Sequence, residues 1–217
     1  LLNSTKGASV PFSLSGKLWP ERLVYYSIPP DFPDKERVTN AIRHWEFYTK
    51  LKFINIEDAP DQPNFIEFVS YKKTDSRVGM VGGKQLIRVD PDCDEHGVRH
   101  EIGHAIGLHH EHSRADRDKY IIVHEDNIIE GAEHNYRKIE NSVSLGEFDY
   151  VSLMLYFNTG SFARDPKKPI LERRDGGVWQ DDLVQRKLSR GDIAMVNYLY
   201  STEPFVKTAG VTEFKDN

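Results

Sequence analysis

His100, Glu101, His104 and His110 lie in one run, HEIGHAIGLHH, that few folds can house. Two histidines four residues apart stand about 40° apart on one helical face, at ~100° per residue. Imidazole nitrogens so placed reach a single zinc ion. Glu101 sits beside them, in position to act as general base on a water activated by that metal. Gly107 follows three residues after the second histidine, and glycine takes a left-handed backbone at little cost. The chain can therefore leave the helix in a sharp bend and bring His110 back to the same metal. Three neutral histidines leave a fourth position open, which is the pattern of catalytic and not structural zinc. His109 and His112 lack ligand spacing and read as non-ligands, and some of the rings of His96, His109 and His112 read as surface residues.

The rest of the composition suits an enzyme domain. The 217 residues allow one domain or two closely packed subdomains around a sizeable core. A net charge of -5 argues against nucleic acid as a partner. No stretch approaches the ~20 apolar residues of a membrane span. Cys93 is the one cysteine, so no intrachain disulfide staples the fold. Its place just before the zinc helix reads as a partly buried small residue. Leu1 in place of Met makes the chain read as either processed or an expressed segment. Asn3-Ser4-Thr5 matches a glycosylation sequon and reads as chance. The mixed charges of residues 114–118 read as a structural ion-pair network.

Periodicity places the motif. Residues 22–28, 53–56, 65–69 and 85–89 read as strands, with turn-rich residues 58–64 and the glycine-rich 78–83 between them. Asp34 reads as the cap of a helix carrying Val38, Ala41, Ile42 and Trp45 at helical spacing. Asp92 or Asp94 caps the zinc helix, whose Val98, Ile102, Ala105 and Ile106 face a core while His100 and His104 point away. A short helix is expected at residues 127–140, and a serine-capped one at residues 189–200.

HExxHxxGxxH is the zinc motif of the metzincins, and its continuation through Glu111, Arg114, Asp116, Arg117 and Asp118 resembles the astacin family. Two distant stretches resemble it as well. FDYVSLMLY, residues 148–156, is similar to the astacin methionine turn. Residues 185–189, with Asp192, Asn197, Leu199 and Tyr200, are similar to its closing helix. VGGKQ, residues 81–85, resembles the edge-strand segment. The likeness runs over about residues 19–200.

The resemblance implies an α+β metzincin (zincin-like) fold. It has a twisted N-terminal sheet with two long helices, and an irregular C-terminal subdomain ending in a helix. Residues 1–217 then form a single catalytic domain, with subdomains at about 1–110 and about 111–217 and the zinc cleft between them. It implies that His100, His104 and His110 bind zinc and that Glu101 polarises the water. Tyr156 both ligates the metal and swings to the oxyanion, and Met154 lies beneath the metal. Glu111 pairs through water with the buried mature N-terminus. The implied activity is that of a secreted zymogen-type endopeptidase acting on extended protein or peptide substrates, with its own pro-segment as inhibitor. An unpaired strand edge near residues 84–89 would hold the substrate backbone.

Three features depart from the family pattern. Absent disulfides suggest a bacterial-type member, Leu155 stands where histidine is common, and the segment before Trp19 is longer than expected. No pro-segment motif is visible, so a catalytic domain alone is expected. The competing readings are a zinc-binding recognition or adhesion module without turnover, which would need neither Glu101 nor Tyr156, and a zinc hydrolase of non-peptide substrates.

Overall fold

The computed structural model describes residues 17–140, 142, 144–179 and 187–201. The Asn3 sequon and the start of the closing-helix match at Gln185 and Arg186 lie outside them. β1 (Leu23–Ser27), β2 (Lys52–Asn55), β3 (Phe65–Ser70) and β4 (Lys84–Val89) form one sheet in the order β2-β1-β3-β4, with every pairing parallel. Parallel neighbours need a crossover between them, and α1 (Lys35–Tyr48) supplies the one from β1 to β2. Its buried Val38, Ala41, Ile42 and Trp45 are the stripe expected from spacing. Asp34 occupies the cap position, but its side chain caps nothing. It takes a left-handed backbone (φ 48°, ψ 61°), which Asp tolerates better than most residues.

α2 (Glu95–Ala105) carries the histidine run. Asp94, not Asp92, caps it, accepting from the Gly97 N–H at 2.9 Å. Val98, Ile102 and Ala105 are fully buried on its core face, and the Trp45 indole N–H donates to the Arg99 carbonyl at 3.0 Å. Residues from both ends of the described chain grip the far end of α2. Trp19 Nε1–H donates to the Ala105 carbonyl at 2.9 Å, and the Tyr200 hydroxyl to the Ile106 carbonyl at 3.0 Å. These bonds satisfy carbonyls that a helix end leaves without partners.

α3 (Arg190–Leu199) follows last, with Ser189 and Asp192 forming the expected serine cap as a reciprocal capping box. Its Met195, Val196 and Leu199 join the main core with the sheet, α1, α2 and Met154. A second core holds Ile121, Ile128, Tyr136, Phe148, Leu155 and Ile170. Here the expected helix at residues 127–140 does not form. Two single 3-10 turns stand in its place, Glu125–Asn127 and Glu133–Tyr136. Gly131 between them is left-handed (φ 87°), and the Asn127 side chain bonds to the backbone of residues 165 and 168 instead of facing solvent. β5 (Ile121–Val123) and β6 (Leu171–Arg173) pair antiparallel. At three residues each they are too short for periodicity to reveal.

The outer edge of β4 differs from expectation. Arg88 exchanges both backbone hydrogen bonds with Asp75, at 2.9 and 3.1 Å, and their side chains pair at 3.0 Å. The chain after β3 folds back over the edge at Arg88, so residues 84–89 are not open along their whole length. The segment that borders the histidines is residues 74–79, where Gly79 N–H donates to the His104 carbonyl at 2.8 Å.

Gly103 is a packing requirement that periodicity could not show. A Cβ there would lie 2.6 Å from the sulfur of fully buried Met154 and 3.3 Å from Trp45. Gly103→Ala should destabilise by about 1–3 kcal/mol, the usual cost of overpacking a filled core. Urea unfolding would measure it, and an unchanged midpoint would show that Met154 yields freely.

Candidate active site

The site is assembled from α2, the bend after it and the turn at residues 152–154. Gly107 takes φ 111°, as the bend requires, and its N–H donates to the His104 carbonyl at 2.8 Å. The chain then runs extended through His110 (φ -64°, ψ 139°). The Glu111 N–H donates to the Met154 carbonyl at 2.9 Å, which ties this segment to the distant turn.

One ligand-capable nitrogen from each of His100, His104 and His110 lies within 4.8 Å of the others. The Nε2 of His110 is 3.1 Å from the Nε2 of His100 and 3.1 Å from that of His104. The other nitrogens of two rings are committed. His100 Nδ1–H donates to the Leu153 carbonyl at 2.9 Å, and His104 Nδ1–H to the Leu108 carbonyl at 2.8 Å. A carbonyl only accepts, so these contacts fix the tautomers and leave both Nε2 atoms as lone pairs. Burial holds His104 and His110 well below the usual imidazole pKa, so they stay neutral. A proton on His110 would satisfy one lone pair, whereas a cation satisfies all three. The donor set therefore fits zinc.

Glu101 is buried beside this cluster. Burial pushes its carboxyl pKa upward, while His100 and the Ser76 hydroxyl pull it down. Ser76 Oγ–H donates to Glu101 Oε2 at 2.7 Å and also reaches the Glu101 carbonyl at 3.0 Å. Sequence reading missed Ser76, because a serine in a polar turn carries no signal. The Tyr156 ring lies 4.3 Å from the His110 ring and 4.4 Å from that of His112, centroid to centroid. Burial raises its phenol pKa, keeping the proton on the oxygen.

Among the neighbouring residues, His112 is the one whose burial spacing did not show, while Cys93 and residues 114–118 are as expected. His112 is not a surface ring: it is fully buried, stacks on His110 at 5.0 Å and bonds the Asn135 carbonyl at 3.0 Å. His96 and His109 are half-buried, and burial lowers both to about 4. Cys93 is half-buried and packs on the core, and burial raises its thiol pKa, the opposite of a reactive thiolate. Arg114 is fully buried and bonds Glu111, Asp116 and the carbonyls of Gly146 and Glu147, so the 114–118 run is a structural network.

A parallel sheet backed by two helices, with three histidines and a glutamate converging at the end of the second, defines the class: a zinc-dependent metallopeptidase. Residues 12–201 match the Astacin peptidase family. Astacin-like metalloprotease toxin 1 of Loxosceles intermedia is 36% identical over 196 residues, 87% of this chain and 73% of its own. Tolloid-like protein 2 of Mus musculus is 38% identical over 87% of this chain, which spans only 19% of that protein. The solved high choriolytic enzyme 1 of Oryzias latipes, a hatching enzyme zinc-protease, shares the fold at a TM-score of 0.74. That match covers 86% of this chain and 94% of its own, at 24% identity. The chain belongs to the astacin family and is a zinc metalloendopeptidase with the α+β metzincin fold.

The buried histidines give a pH signature. His96, held at about 4 against an ordinary 6.5, takes up its proton later in the folded chain than in the unfolded one. Its contribution is present above pH 6.5 and is lost as pH falls through about 4. Against a His96→Gln variant, the zinc-free parent should lose melting temperature steadily across that window. Parallel curves from thermal melts would refute the shift.

Proposed function

We propose that His100, His104 and His110 hold the zinc, that Glu101 is the general base, and that Tyr156 donates to the oxyanion. The reaction is hydrolysis of peptide bonds in extended substrates. The observation that carries this reading is the convergence of three Nε2 atoms beside a buried glutamate. When bound, zinc acts as a Lewis acid and makes water a nucleophile at neutral pH. Glu101 Oε takes a proton from the attacking water and delivers it to the leaving amine nitrogen. Its upward-shifted carboxyl suits both halves of that transfer. The Tyr156 hydroxyl, kept protonated, donates to the oxyanion of the tetrahedral intermediate, and Ser76 steadies Glu101. Tyr156 as an additional metal ligand and Met154 as the floor of the site rest on the methionine-turn resemblance.

Residues 76–78 make no backbone hydrogen bond among the described residues. They adjoin Glu101 through Ser76, so we assign the substrate backbone to this strip in place of residues 84–89. A recognition module without turnover would need neither Glu101 nor Tyr156, yet both stand at the site.

Residues 1–217 are read as one catalytic domain, with subdomains at about 1–110 and about 111–217. Two core clusters support this, although α3 packs with the first. Secretion is supported by a relative named as a toxin, and no helix among the described residues is long and apolar enough to cross a membrane. Glu111 Oε2 is buried without a partner among the described residues, which supports pairing with a mature N-terminus and hence inhibition by a pro-segment before processing. Support for a bacterial-type member is the single cysteine alone, since the named relatives are animal proteins.

Glu101→Gln should keep one zinc yet lower kcat by about 10²–10⁴. Loss of zinc in that variant would overturn the assignment, as would cleavage at the parental rate. Tyr156→Phe should retain the fold and zinc while kcat falls about 10²-fold with KM little changed. A raised KM at unchanged kcat would make it a substrate-binding residue. Peptide kinetics with metal analysis of each variant decide both.

A further inference from the structure

We infer that Asp192 is a positioning residue for the zinc site, acting on His100 through a hydroxyl and a single peptide group. The inference rests on His100 being a zinc ligand. His100 Nδ1–H donates to the Leu153 carbonyl at 2.9 Å. The N–H of that same peptide group belongs to Met154, and it donates to Ser152 Oγ at 2.9 Å. The Ser152 hydroxyl in turn donates to Asp192 Oδ1 at 2.7 Å. Every donor in this series points the same way, from imidazole to carboxylate. Hydrogen bonds so aligned polarise one another.

The remaining carboxylate oxygen fixes the geometry. Asp192 Oδ2 accepts from the Leu153 N–H at 2.9 Å and from the Ser189 N–H at 2.8 Å. Asp192 and Ser152 are both fully buried, so solvent does not compete for these bonds. Metal-bound histidines commonly donate their other N–H to a carboxylate, which orients the ring and raises its basicity. Here that carboxylate sits one peptide and one hydroxyl away, at the start of a helix about ninety residues downstream (His100 to Asp192). The capping box gives Asp192 a second, purely structural duty, and the test has to separate the two.

Ser152→Ala breaks the relay but leaves the cap of α3 and the Leu153 bond intact. Zinc affinity, measured by competition with a chromophoric chelator, should fall about 10-fold or more. Asp192→Asn should weaken zinc in the same direction, and in both variants kcat should fall with KM unchanged. Ser189→Ala removes the helix cap and the bond to Asp149 but leaves the Ser152, Leu153 and Ser189 backbone bonds onto the Asp192 carboxylate, so it should lower the melting temperature and leave zinc affinity at the parental value. Parental zinc affinity in Ser152→Ala would overturn the relay. An equal loss of affinity in Ser189→Ala would overturn it as well, by reducing the effect to helix stability. His100→Ala separates the premise: parental zinc affinity there would refute His100 as ligand, whereas its loss beside an unaffected Ser152→Ala refutes only the relay.

Discussion

The convergence of three imidazole nitrogens organises this protein. One proton cannot serve three nitrogens this close together, whereas a cation serves them all, so the fold must hold the rings in place for it. It does so from behind. The Nδ1–H groups of His100 and His104 are bound to carbonyls of the 152–154 turn and of the bend after α2. Those two carbonyls come from opposite halves of the chain. The metal site is thus also the seam between them, and Glu111 N–H reinforces it by bonding the Met154 carbonyl.

The seam explains why so much polarity is buried around it. Arg114, Glu111, Asp149, Ser152 and Asp192 are all buried, yet each has hydrogen-bonding partners. Irregular backbone cannot satisfy itself as a helix or strand does, so side chains take over the accounting. Arg114 bonds two carbonyls of the 146–147 loop, and Asp192 bonds two backbone N–H groups. Such networks specify one arrangement, since a shifted loop would strand several buried groups at once.

The legible parts of the sequence were those with short-range repetition. The stripe of α1, the four strands, the Asp94 cap and the Gly107 bend all follow from local spacing and backbone chemistry, whereas the parallel pairing of the strands does not. The Ser189–Asp192 capping box is equally local. Two misreadings and one unforeseen burial share another cause. Residues 127–140 carry apolar spacing, but the Asn127 side chain draws the chain toward residues 165–168 and Gly131 turns it. His112 is polar yet buried because a long-range partner, the Asn135 carbonyl, receives it. The β4 edge is closed at Arg88 by Asp75, whose approach depends on how the chain after β3 folds back. Ser76 and the Leu153 carbonyl were invisible for the same reason: each reaches Glu101 or His100 only through tertiary contact.

α2 lies on a close-packed core, and at Gly103 the methionine of the distant turn comes nearer than any Cβ would permit. That contact places Met154 against the helix between the two motif histidines, one residue before His104. The turn cannot retreat without opening a void over Gly103, where the Met154 sulfur fills the space a Cβ would take. Packing from the apolar side and hydrogen bonds from the polar side therefore determine the same position for residues 152–154. Agreement between these independent constraints is what lets a turn without regular structure hold a histidine to the tolerance that metal binding demands.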